Sequence, residues 1–158
     1  MNNLKLENKD IKLKLIFKSS RDGSTSNDFH KFCDGKSPTI SIIETTSNAI
    51  FGGFLNIEWK NEGGDTKDDK SFLFSFNNKK IYNNNGNECA CTFGKDRGPY
   101  FAYSINIFSN FRESKRHCTR DLNDMNYSWK NFTSDYELNN NIEYFDIKEI
   151  EVFEVLIE

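Results

Sequence analysis

Thr39-Ile-Ser-Ile-Ile-Glu-Thr45, then Thr46-Ser-Asn48, then Ala49-Ile-Phe-Gly-Gly-Phe-Leu-Asn56, is the stretch that decides the fold. Its two arms are rich in β-branched and aromatic residues and read as strands, joined by the short polar turn. The pair Gly52-Gly53 lies inside the second arm. Glycine in a strand interior marks a bulge or a close backbone approach. Upstream, Ile11, Leu13, Leu15 and Phe17 alternate with Lys12, Lys14, Ile16 and Lys18, the pattern of a half-buried strand. Arg21-Asp22-Gly23-Ser24 reads as a turn. A short helix is expected over Thr25–Asp34, capped by Thr25 or Ser26 with Asp28 in its first turn. Phe29, Phe32 and Cys33 share one face of it, and Gly35 ends it.

Downstream of the hairpin, Trp59 anchors the chain and residues 60–70 form a polar loop. Phe72, Phe74 and Phe76 alternate with Ser71, Leu73 and Ser75. The period of two predicts a strand whose phenylalanines point into one core with Leu13, Leu15 and Phe17. Asn77-Asn78 turns it toward a strand at Lys79–Tyr82. Further strands are expected over Cys89–Phe93 and Tyr100–Phe108, with a loop at 94–99 between them. Residues 109–141 are polar, with scattered apolar anchors. Tyr144–Ile157 closes the chain as a strand or two, and a change of phase near Phe153 suggests a bulge. Short strands at close spacing and one clear helix predict a mainly β chain: a β-sandwich of two antiparallel sheets with a few short flanking helices. Residues 1–10 read as a flexible lead-in and 11–158 as a single domain.

Composition narrows the classes further. A chain of 158 residues is long enough to bury roughly two thirds of its unfolded surface without metal or disulfide staples. Its 15 Phe, 6 Tyr and 2 Trp argue against disorder, because disordered chains are poor in aromatics. The formal charge of −3 provides no global field to attract nucleic acid, so no nucleic-acid partner is expected. No apolar run approaches a membrane span, and the first residues lack a signal-peptide core; the expected setting is the reducing cytoplasm, without membrane insertion.

The chemistry-bearing residues form no known catalytic pattern. His30 and Cys33 lie one helical turn apart and His117-Cys118 are neighbours. The plain reading has His30 facing solvent and Cys33 in the core; the functional one is a Cys–His nucleophile. Cys89-Ala-Cys91 with His117-Cys118 has poor spacing for zinc, so reduced, partly buried thiols are expected and no metal or cofactor. Glu62, Asp65, Asp68 and Asp69 read as a solvated acidic loop. Arg112, Lys115, Arg116 and Arg120, interleaved with Glu113 and Asp121, read as a solvated basic segment rather than a nucleic-acid site.

Seven short motifs follow in order: Phe17-Lys-Ser-Ser-Arg-Asp-Gly23, Phe29-His-Lys-Phe-Cys-Asp-Gly35, Pro38-Thr-Ile40, Ile50-Phe-Gly-Gly-Phe54 with Trp59, Ser71-Phe-Leu-Phe-Ser-Phe76, Gly98-Pro-Tyr-Phe101 and Ile150-Glu-Val-Phe153. In this order and spacing they resemble the TLDc domain, over about residues 11–156. The resemblance implies a sandwich of two antiparallel sheets, no active site and no catalytic residue. It implies a protein-interaction role, with the V-type proton-pumping ATPase as partner and oxidation resistance as phenotype. Arg21, Asp22, Gly23, Gly52, Gly53, Trp59, Gly98 and Pro99 then stand as structural signatures. Where the family usually has glycine after Gly-Pro-X-Phe, this chain has Ala102, which supplies a positive φ less readily. Because related domains often sit behind modules such as BTB, an adaptor module of a larger assembly is the alternative. A small redox or metal protein using Cys33, Cys89, Cys91 and Cys118 is a further one.

Overall fold

Alternation in Thr39–Thr45 is realised as strand β2, whose residues point in turn to two different faces. The computed structural model describes residues 9–86 and 88–158. Of the lead-in over residues 1–10, only Lys9 and Asp10 fall among them, and both are exposed coil. Strands β1 (Ile11–Lys18), β2, β3 (Ile50–Leu55), β5 (Phe72–Ser75), β6 (Lys80–Asn83) and β8 (Ile147–Ile157) form one antiparallel sheet in the order β1-β8-β2-β3-β5-β6. Strands β4 (Gly64–Lys67) and β7 (Cys89–Phe93) form a second, two-stranded sheet. The chain is thus mainly β, with two antiparallel sheets and three short helices: α1 (Ser19–Asp22), α2 (Ser26–Cys33) and α3 (Leu122–Ser128).

Local chemistry explains the helix that the sequence predicts. Thr25 accepts from the Asp28 backbone N–H, and the Asp28 carboxylate accepts from the Thr25 backbone N–H in return. This reciprocal cap satisfies two donors that a helix start otherwise leaves free. The expected turn at Arg21-Asp22-Gly23-Ser24 instead begins inside α1, one turn of helix ended by Gly23. The phase change near Phe153 is also present. Its extra residue, however, is on the partner strand, where Leu15 and Phe17 pair with Phe153 and Val152 and leave Ile16 over.

Two expected elements differ. Residues 60–70 are not all loop, because Gly64–Lys67 pairs with β7 as β4. Tyr100–Phe108 is not a strand. Phe101 and Ile105 exchange both backbone hydrogen bonds around a tight turn with Tyr103 at φ +60°. Arg97 is bridged to Phe108 and Asn106 to Cys118.

The strand at Ser71–Phe76 exists, but its phase is the reverse of the expectation. Ser71, Leu73 and Ser75 are buried against the second layer. Phe72 and Phe74 lie half-buried on the outer face, Phe76 is 58% exposed, and Leu13 is 51% exposed. Of the six residues expected in one core, only Phe17 is fully inside. The reason is packing volume. The inner row Ser41, Gly53 and Leu73 faces large rings from the second layer, above all Phe101, whose Cε1 would stand 2.5 Å from a Cβ at Gly53. Glycine at position 53 leaves room for that ring, and the period of two then puts Ser71, Leu73 and Ser75 on the same side and the phenylalanines of β5 on the other.

Phe111, Phe17, Phe29, Trp59, Phe101 and Trp129 run through the core in successive edge-to-face contacts, with centroids 5.2–6.5 Å apart. Trp59 donates Nε1–H to Thr39 Oγ1 at 2.8 Å, and Trp129 donates its own to the Ala102 carbonyl at 2.6 Å. Both indoles thus bury their rings without leaving the N–H unsatisfied. The inverted phase has a measurable outcome. In denaturant unfolding, Leu73→Ala should cost about 2–5 kcal/mol, and Phe76→Ala should stay below about 1 kcal/mol. The reverse ranking would place Phe76 in the core.

Candidate interaction surface

The histidines and cysteines are absorbed by the structure. His30 is buried rather than solvent-facing. Its Nε2 donates to the carbonyl oxygens of Gly94 and Arg97, and its Nδ1 lies 2.7 Å from an Asp34 carboxylate oxygen. Both nitrogens are therefore engaged away from Cys33, whose thiol is pushed up by burial and then by Asp34. His117 is fully buried. Its Nδ1 accepts from the Phe108 backbone N–H, so the ring proton is on Nε2, which donates to the Phe111 carbonyl. Cys89, Cys91 and Cys118 are free thiols, and burial raises the pKa of each. Among the described residues, no three His, Cys, Asp or Glu side chains converge as metal ligands.

The acidic loop is only partly solvated. Asp68 is buried, and its carboxylate accepts the Asn56 and Lys70 backbone N–H groups, while Asp65 accepts from Thr92 Oγ1. These carboxylates fasten the loop that carries β4.

The residues named as family signatures lie at junctions. Asp22 accepts the Lys18 backbone N–H and is gripped by two Arg21 guanidinium nitrogens at 2.8 Å each. The Arg21 hydrogen bonds hold its carboxyl below the usual range. Gly23 has φ +121°, and a Cβ there would run into the Asp28 carboxylate that caps α2, so glycine is required on both counts. Gly52 and Gly53 sit in a regular ladder without a bulge and face opposite sides, Gly52 under the Phe74 ring and Gly53 under Phe101. Trp59 is inside the core. Gly98 packs under Phe111 and donates to the Ile107 carbonyl, and Pro99 is buried beside it. Ala102 needs no positive φ, because Tyr103 takes the left-handed conformation of this turn.

What remains uncovered is the outer face of the large sheet. Leu15, Phe153, Ile40, Phe54 and Phe72 pair in one row across five strands. In the next row Ile42, Gly52, Phe74 and Ile81 are partners. The Phe54 and Phe72 rings stack at 5.0 Å, and Phe74 leans on Phe76 at 5.5 Å. Phe76 and Ile81 at its edge are more than half exposed, the other rings and aliphatic chains are partly exposed, and Phe54 at its centre is buried by its neighbours. Contiguous apolar surface of this kind marks an interaction site on a folded domain. Sequence reasoning missed it because the same alternation describes a strand facing either way.

The family model for the TLDc domain matches residues 1–156. The chain belongs to the TLDc domain family. This is a family of non-catalytic, oxidation-resistance-like domains. Among curated proteins, the TBC1 domain family member 24 of Xenopus laevis is 33% identical over 45 residues. That segment is 28% of this chain and 8% of the relative, so the chain spans a small part of that protein's length. No helix among the described residues is long and apolar enough to cross a membrane.

In this TLDc domain, His117 makes stability depend on pH. Its folded-state pKa lies below the ordinary 6.5, chiefly because burial penalises the cation. The unfolded chain binds the proton first as pH falls. The stability it contributes is present above the unfolded value of about 6.5 and is lost progressively as the pH falls below it. The thermal midpoint should fall on that acidification, and His117→Gln should flatten the slope even if it lowers the midpoint throughout. An unchanged slope in the variant would assign the titration elsewhere.

Proposed function

We propose that this TLDc domain is a non-enzymatic interaction domain of the cytoplasm that docks a protein partner on the outer face of its six-stranded sheet. The supporting observation is that β2, β3 and β5 place Ile40, Ile42, Phe72 and Phe74 partly exposed in adjoining rows on the face opposite Leu73, next to the exposed Phe76 and Ile81. Family resemblance makes the V-type proton-pumping ATPase the proposed partner and oxidation resistance the proposed phenotype. A second reading, a recognition module within a larger assembly, is favoured by the Xenopus relative, in which the matched segment is a small fraction of the protein.

Affinity capture separates these readings. Tagged chain should recover V-type ATPase subunits from lysate, identified by mass spectrometry. The double variant Phe76→Glu with Ile81→Glu should lose about tenfold or more of that recovery while keeping its circular dichroism. A folded bait that recovers no ATPase subunit removes that partner. Undiminished recovery by the variant moves the docking site off the sheet.

A further inference from the structure

The basic stretch that the sequence leaves as a solvated segment has a built setting in the fold. Residues 94–120 carry six basic residues against two acidic ones, a formal +4 in a chain of −3, so the remainder carries −7. Two of the arginines are placed over aromatic rings. The Arg97 guanidinium lies 4.3 Å from the Tyr100 ring centroid, and the Arg116 guanidinium 4.5 Å from that of Phe108. Tyr100 and Phe108 meet edge to face at 5.8 Å, so the two cations and two rings form one ladder. Arg97 and Arg120 also line a crevice of about 250 Å³ with Tyr100, Tyr103, Asp65 and Asp124.

The ladder is held rigidly. His30 Nε2 donates to the carbonyls of Gly94 and Arg97, and Ser26 Oγ donates to that of Lys95. Gly98 donates to the Ile107 carbonyl and Ser109 to that of Asp96, which fixes the segment before Tyr100 against that around Phe108. Meanwhile, among the described residues, the guanidinium groups of Arg97, Arg116 and Arg120 form no ion pair and donate no hydrogen bond. A guanidinium lying flat on a ring keeps its edge donors free and loses little freedom when they are used.

We propose that Arg97, Arg116 and Arg120 form a docking surface for an acidic segment of a partner protein, with side-chain carboxylates accepting from the guanidinium edges. Carboxylate geometry matches the planar fork of arginine. A nucleic-acid backbone fits less well, because three arginines do not make a continuous track. The surface lies in the second layer, behind the core from the apolar sheet face, and does not depend on that face for its role.

Fluorescence anisotropy on the full chain tests this with a labelled decapeptide of alternating Glu and Gly, at low salt, against its Gln–Gly counterpart. The acidic peptide should bind and the neutral one should not, and added salt should weaken binding. Arg97→Gln with Arg116→Gln should weaken binding about tenfold or more, which corresponds to about 1.4 kcal/mol. Lys95→Gln with Arg112→Gln removes the same charge from residues without a ring seat and should weaken it less than about threefold. All four positions are at or near the surface, so melting curves should stay close to that of the parent chain. Absence of binding, equal loss in both pairs, or tighter binding of a thymidine decanucleotide or phosphatidylserine vesicles would overturn the proposal.

Discussion

One close contact organises the molecule: the Phe101 ring of the second layer rests on the backbone of β3 at Gly53, where a Cβ would stand 2.5–2.9 Å from three of its atoms. Only glycine permits that approach. Phe101 in turn meets Trp59 and Trp129, and its neighbour Ala102 accepts the Trp129 indole N–H. Phe101 thus links β3 to both indoles of the core. The volume it needs requires a glycine at position 53, between Ser41 and Leu73 of the neighbouring strands.

The phase of the strands links packing to function. A sheet whose large apolar side chains all faced inward would present a polar outer surface and offer a partner little. Here Phe17, Ile43, Phe51 and Ile150 of the sheet face the core, while Ile40, Ile42, Phe72 and Phe74 stand on its other side. On the opposite side, the loops around Tyr100 and Phe108 hold arginines on aromatic seats. The domain thus has one apolar and one cationic face, and its histidines and thiols serve the interior.

Much of the fold was legible from local signals. The Thr25–Asp28 reciprocal cap, the β-branched run at Thr39–Thr45 and the alternation at Cys89–Phe93 each specify their own element. What failed was whatever depended on the other layer. Period two at Ser71–Phe76 defines two faces, and only Phe101, in a distant segment, decides which one is inside. The strand β4 gave no signal because Gly64-Asp-Thr-Lys67 is polar and pairs only with β7. Tyr100–Phe108 alternates like a strand, yet the left-handed Tyr103 folds it back on itself. The arginine ladder was unreadable for the same reason: Arg116 and its ring Phe108 are neighbours only through the bridges that His117 and Gly98 help to hold.

A double-mutant cycle on Gly53 and Phe101 tests the central contact most directly. Gly53→Ala and Phe101→Leu should each destabilise the chain, the first by overpacking and the second by leaving space. Together they should cost less than their sum by about 1 kcal/mol or more in denaturant unfolding, because the smaller side chain gives the new methyl group room. Strict additivity would contradict the view that this contact sets the spacing of the two layers.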